Sequence, residues 1–147
     1  MTENRGAPPS RVSVHADSAG IRVRNSRGQE LQIAVGGVSE GFNPYELISA
    51  ALGVCTSLGL RREAAQLRTA GRAGAVNAYR LQVEGFKSED APSRIDRVRL
   101  DVQIEGQLDD DARREIVERA VAACTVANTL RGTTLVEAHA SGAARPQ

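Results

Sequence analysis

The chain is poor in the residues that mark many functional classes. Its 147 residues contain only two cysteines, Cys55 and Cys124, and these are not in CxxC spacing. Two thiols are too few for the disulfide framework of a small secreted domain, and their spacing argues against zinc. If they act, they act as thiols, without a metal or an organic cofactor. No apolar run approaches the roughly 18 residues of a membrane span, and the opening MTENRGAPPS lacks the apolar centre of a targeting signal. The formal net charge is +1 with no basic block, so neither a nucleic acid nor an anionic membrane surface is expected as a partner. Phosphate-binding fingerprints are missing too, because the Gly36-Gly37 pair is followed by neither GxGxxG nor GxxxxGK[ST]. Lysine is almost absent: Lys87 is the single one among 19 basic residues, so an arginine near any site is the default rather than a signal. These absences describe a cytoplasmic protein.

What is present is enough for one globular domain, at 41% hydrophobic and 25% charged residues. Residues 1–10 and 141–147 read as flexible tails rich in small and polar residues, leaving 11–140 as a single domain. From Arg11 to Val35 the apolar residues alternate in short runs, Val12/Val14, Ile21/Val23 and Leu31/Ile33/Val35, broken by DSAG and NSRGQ. That pattern predicts three strands in an antiparallel meander, followed by a flexible loop over GGVSEGF. A second antiparallel pair is expected where Tyr79/Leu81/Val83 and Val98/Leu100/Val102/Ile104 alternate on either side of the loop KSEDAPSR.

Asn43-Pro44-Tyr45-Glu46 is a helix start, with Asn as N-cap, Pro at the first helical position and Glu at the third, as a capping box requires. The helix is expected to run to about Leu67. Its first half, LISAALGVC, is apolar on every side and is expected to be buried all round, whereas RREAAQLR should surface. LDDDARREIVERAVAAC predicts a second helix, with acidic residues at its start and Ala112, Ile116, Val117, Ala120, Val121 and Cys124 on its core face. TVANTLRG predicts a short helical turn closed by Gly132, and TTLVEAHA a last strand.

Both cysteines thus fall on apolar, helix-borne positions, and two readings stay open: a pair of small packed side chains, or a redox pair. A functional thiol needs a cation, a helix N-terminus or a metal to lower its pKa. Cys55 lies eleven residues past Pro44, beyond the reach of the helix dipole, so a cation brought in by the fold would have to serve. His15 and His139 have no metal-ligand spacing and read as surface histidines, so no metal site is expected. Ser57 lacks a GxSxG setting and reads as helix packing. Arg114/Glu118 and Glu115/Arg119 read as i,i+4 pairs on a solvated face.

NPYELISAALGVCTSLGLRR followed by AVAACTVANTLRG closely resembles the two cysteine motifs of the OsmC/Ohr family of thiol-dependent peroxidases, in the branch whose first motif reads PYELLLAALGAC-T. The resemblance implies an α+β fold of antiparallel sheets around a central buried helix, in an intertwined homodimer. It implies Cys55 as the thiol that attacks an organic hydroperoxide and Cys124 as the resolving one, with an external dithiol as reductant. An apolar pocket would shield the sulfenic acid on Cys55 until Cys124 condenses with it. The family's catalytic glutamate position holds Tyr45 here, with Glu46 one place later as the candidate; nine residues set Glu46 opposite Cys55 on an ideal helix, so a catalytic role for it requires a bend near Gly53, and its role as helix cap is favoured. Arg22 and Arg24 are nearest to the family's early-strand arginine, with Arg22 favoured. Thr125-Val126-Ala127 replaces the Pro-Val-His found after the second cysteine in many relatives. An apolar ligand-binding module and a low-turnover redox sensor are the alternatives.

Overall fold

The computed structural model describes residues 8–35 and 40–140. The expected terminal tails, apart from residues 8–10, and the Gly36-Gly37 pair lie outside the described residues. The described chain divides into two compact units. One holds the residues up to Ala50 with Glu84–Val98, and the other holds Ala51–Val83 with the residues from Arg99 onward.

In the first unit, β1 (Val12–Asp17), β2 (Gly20–Asn25) and β3 (Glu30–Ile33) form the expected meander. Asp17 and Asn25 set its two turns: the Asp17 carboxylate accepts from the Ala19 N–H, and Asn25 Oδ1 accepts from the Arg27 and Gln29 N–H groups. Past β3, the Ala34 N–H donates to the Phe42 carbonyl at 3.1 Å. Gly41 permits this return, since its φ is +127° and a Cβ there would stand 2.6 Å from the Gln32 carbonyl oxygen. Helix α1 (Pro44–Thr69) then begins with the capping box in place: Asn43 Oδ1 accepts from the Glu46 N–H, and the Glu46 carboxylate accepts from the Asn43 N–H at 2.8 Å.

Strands β4 (Val76–Lys87) and β5 (Ile95–Gly106) form a two-stranded sheet. One antiparallel register fits both ends, with the Ser88 N–H donating to Arg94 and the Gln107 N–H to Ala75. The inward alternation of Leu81, Val83, Leu100, Val102 and Ile104 holds.

The core of the second unit is built by α1, β5 and α2 (Asp110–Ala122), through Leu60, Ala64, Leu67, Ile104, Ala112, Ile116 and Ala120. Asp109 caps α2, accepting from the Ala112 N–H at 2.7 Å. Gly59 sets the approach of the two helices: a Cβ there would lie 3.2 Å from the Cα, Cβ and carbonyl oxygen of Ala120. Helix α3 (Thr125–Arg131) follows and is closed at Gly132, as its sequence predicts.

Four expectations are corrected. The first half of α1 is not buried all round in the single chain, where Ile48 and Val54 are exposed, Val54 at 60%, and RREAAQLR does not simply surface, because Glu63, Ala64 and Leu67 in it are buried. Small residues at 59 and 64 let α2 pack on that second half, so the tightest packing falls there. Cys124 is buried but lies beyond the end of α2, because the helix stops at Ala122 and the chain turns at Ala123. Residues 133–140 form no strand; no described strand pairs with them, and Leu135 and Val136 stand more than four-fifths exposed. Finally, Arg114 pairs with Asp111 rather than Glu118, whereas Glu115–Arg119 forms as expected.

Candidate thiol site

The α1 residues Thr56, Gly59, Leu60, Glu63, Ala64 and Leu67 recur at three- and four-residue spacing and form its buried stripe. Thr56 lies one turn before the Gly59–Ala120 approach, and Cys124 one turn after Ala120. The close approach therefore brings the two together: Thr56 Oγ1 donates to Cys124 Sγ at 3.8 Å, with Thr56 fully buried and Cys124 nearly so. Cys55 is half-buried and is not bridged to Cys124, and it is close enough to help lower the Cys124 pKa. The two cysteines, 69 positions apart in sequence, are thus brought to one region of the fold, with Thr56, next to Cys55 in the chain, touching Cys124.

Cys124 is the N-cap of α3, and its sulfur accepts from the Ala127 N–H at 3.4 Å. Burial pushes its thiol up. The donors from Ala127, Cys55, Thr56 and Val126 together outweigh that cost and hold the group below the ordinary thiol value. The arrangement is one accessible sulfur beside one buried sulfur surrounded by donors, and it can close a disulfide once the accessible one is oxidised.

Arg22 and Arg24 lie on β2, on the exposed side of the meander. The Arg22 guanidinium donates to Asp17 at 2.9 Å, and Arg24 donates through Nε to Glu30 at 3.0 Å. The Asp17 carboxyl is held below its usual range by the Ala19 N–H, with Arg22 and His15 adding to the effect. The Glu46 carboxylate is engaged at the cap of α1. His15 is exposed and hydrogen-bonds to Asp17, and the Ser57 hydroxyl donates to the Val54 carbonyl within the helix. Among the described residues, no group of three or more His, Cys, Asp or Glu could hold a metal, and no helix is long and apolar enough to cross a membrane.

Thr56 is the residue that sequence reasoning overlooked. Its signal was available: it stands three, four, seven and eight residues before Gly59, Leu60, Glu63 and Ala64, on the stripe that becomes the buried face.

An α+β chain that seats two thiols together between a long helix and a short one belongs to a recognisable structural class. The sequence matches the OsmC-like protein family over residues 37–139, and the chain belongs to that family. No protein of curated function matches the sequence. Among solved structures, the chain resembles an OsmC-like protein from Mycoplasma pneumoniae, with a TM-score of 0.72 at 14% identity, over 85% of this chain and 89% of that one. It also resembles an organic hydroperoxide resistance protein OsmC from Legionella pneumophila, with a TM-score of 0.63 at 18% identity, over 87% and 93% of the two chains. A third is the organic hydroperoxide resistance protein OhrB of Bacillus subtilis, with a TM-score of 0.61 at 18% identity, over 85% and 92%. At these identities the likeness is one of fold.

Proposed function

We propose that the protein is a thiol peroxidase that reduces organic hydroperoxides. The observation that carries this reading is a buried Cys124 whose sulfur accepts from Thr56 Oγ1 and the Ala127 N–H, with the half-buried Cys55 adjacent to Thr56 in the chain. The Cys55 thiolate attacks the O–O bond, the alcohol leaves, and a sulfenic acid remains on Cys55. The Cys124 thiolate then attacks the Cys55 sulfur and expels hydroxide, which leaves as water after protonation, and the Cys55–Cys124 disulfide forms. An external dithiol returns both thiols by exchange. Arg22 is the cation that activates Cys55 in this reading, and Glu46, engaged at the cap of α1, acts by fixing the start of the helix that carries Cys55. No metal or organic cofactor takes part.

The chain works as a homodimer in this proposal. Val54 and Leu58 leave an apolar stripe uncovered along α1, and Ile48, Val12, Val14, Leu135 and Val136 are exposed as well. A second copy that pools its sheets with these segments would cover them. The place of action is the cytoplasm.

Consumption of cumene hydroperoxide with dithiothreitol as reductant tests the activity. Sustained turnover that requires Cys55 is the expected result. A single stoichiometric oxidation would identify a sensor instead, and no loss of thiols a ligand-binding module.

A further inference from the structure

The second half of α1 and the beginning of β4 enclose a concavity of about 420 Å³, within the size range of small-molecule sites. Arg61 and Arg68 line it from the helix, and Asn77 and Tyr79 line it from the strand. Its lining contains no aspartate or glutamate.

Arg22, Arg24, Arg62, Arg72, Arg80, Arg94, Arg99, Arg113, Arg114 and Arg119 are all in ion pairs with carboxylates. Arg97 lies over the Phe86 ring. Neither Arg61 nor Arg68 has a carboxylate partner among the described residues, yet they share one concavity. Arg11, Arg27 and Arg131 also have no carboxylate partner among the described residues, but they do not line this concavity. Seven residues along a helix is about 10 Å of rise and nearly two full turns, so the two side chains leave the same face and can converge on one group. Tyr79 lies within the field of Arg61: burial raises its phenol above the ordinary value, and the guanidinium pulls it back. Asn77 can add an amide donor. The Ser57 hydroxyl, on the same wall, is already committed to the Val54 carbonyl.

We infer that this concavity binds the dianionic phosphate group of a small molecule, held between the Arg61 and Arg68 guanidinium groups. Two uncompensated cations match a dianion in charge, and the planar guanidinium fork matches phosphate oxygens in geometry. The inference uses neither thiol, and because Arg61 and Arg68 continue the face of Val54 and Leu58 it requires that the proposed second copy leave this end of α1 open.

The test is calorimetric titration of the full chain with inorganic phosphate at constant ionic strength. A parallel readout comes from tyrosine emission: the chain has no tryptophan and two tyrosines, so Tyr45→Phe leaves Tyr79 as the sole reporter. Saturable binding is expected by both readouts, weakened about tenfold or more in Arg61→Met and in Arg68→Met. Arg72→Met removes the same charge from an arginine paired with Glu115 and should leave affinity within about twofold. Arg61→Lys, which keeps the charge and loses the fork, should fall between these limits. Absence of saturable binding at about 10 mM phosphate, an affinity of only about 100 mM or weaker, an equal loss in Arg72→Met, or acetate binding as well as phosphate would each overturn the assignment.

Discussion

Thr56 Oγ1 donates to Cys124 Sγ at 3.8 Å, and the two residues are linked by the approach of α1 to α2 at Gly59 and Ala120. Thr56 is fully buried and its hydroxyl has a sulfur as acceptor. A donor in that position favours the thiolate over the thiol. In the proposed cycle this makes Thr56 a positioning residue for the resolving thiol rather than for the attack on peroxide.

Thr56→Val keeps the shape and removes the donor. It should raise the pKa of Cys124 and slow disulfide closure at pH 7 by severalfold, since about half a pKa unit corresponds to a threefold loss of thiolate. The first oxidation of Cys55 should keep its rate. Thr56→Ser should recover most of the closure rate. Stopped-flow oxidation with one equivalent of cumene hydroperoxide, with dimedone trapping of the sulfenic acid, separates the two steps. Equal closure rates in the parent and Thr56→Val would remove Thr56 from the mechanism.

Gly59→Ala tests the helix approach that creates the site. In an exposed helix the change would stabilise by about 1 kcal/mol, because glycine is a poor helix former. Here the added methyl meets Ala120 backbone and side-chain atoms at 3.2 Å, so the opposite sign is expected, a loss of about 1–3 kcal/mol in urea unfolding. Thr56 and Cys124 should also separate, slowing disulfide closure as Thr56→Val does. A stabilised variant with normal closure would show that the helices have room to spare.

Much of this architecture was legible in the residues. Alternation located all five strands, and Asn43, Pro44 and Glu46 located the start of α1, because these signals act over a few residues and need no partner. The expectations that failed depended on partners. LISAALGVC looks buried from every side, yet what one chain covers is decided by where α2 can approach, and that is Gly59. TTLVEAHA has a strand's composition but no described strand to pair with. Cys124 has helical spacing from Ala120, but the helix ends before it and makes it the cap of α3. The contact of Thr56 with Cys124 spans most of the domain, and no local pattern encodes it.

Assembly can be tested on the uncovered stripe. Leu58 is 61% exposed in the single chain, and Val54 is close to it in exposure and one turn away. If a second copy covers them, Leu58→Glu buries a charge at the interface and should convert the dimer to monomer at micromolar concentration. Analytical ultracentrifugation of the parent and the variant measures this. A parent that sediments as a stable folded monomer would refute the dimer.

Glu115 provides a pH signature for the second unit. Its carboxyl is held below the usual range, first by the hydrogen bond from Arg72, against a smaller opposing effect of burial, with Arg119 adding to the lowering. A carboxyl whose folded pKa is depressed contributes stability above its unfolded value, and that contribution is lost as pH falls through the folded one. The melting temperature should therefore decline as pH drops below about 4.3, and Arg72→Met should make the decline shallower while lowering the plateau slightly. Parallel melting curves for parent and variant from pH 7 to pH 3 would exclude the pair as a source of acid sensitivity.

The last prediction concerns the roles of the thiols and the cation proposed to activate the first. Cys55→Ser should abolish peroxide consumption, whereas Cys124→Ser should undergo one oxidation and stall as a Cys55 sulfenic acid that dimedone traps. A dimedone adduct forming on Cys124 in Cys55→Ser would reverse the assignment, and the donors around Cys124 Sγ make that control necessary. In the Cys124→Ser background, Arg22→Met keeps the aliphatic stem and deletes the charge. It should slow iodoacetamide alkylation of Cys55 and its reaction with peroxide at pH 7 by about tenfold. Arg24→Met should do distinctly less, because Arg24 is tied to Glu30 by two of its nitrogens. The Arg22 guanidinium is engaged by Asp17, so Asp17→Asn releases it from a competing carboxylate and should speed Cys55 alkylation. If Arg22→Met, Arg24→Met and Asp17→Asn all leave the rate within twofold of the parent, the meander supplies no activating cation and the ligand-binding reading gains.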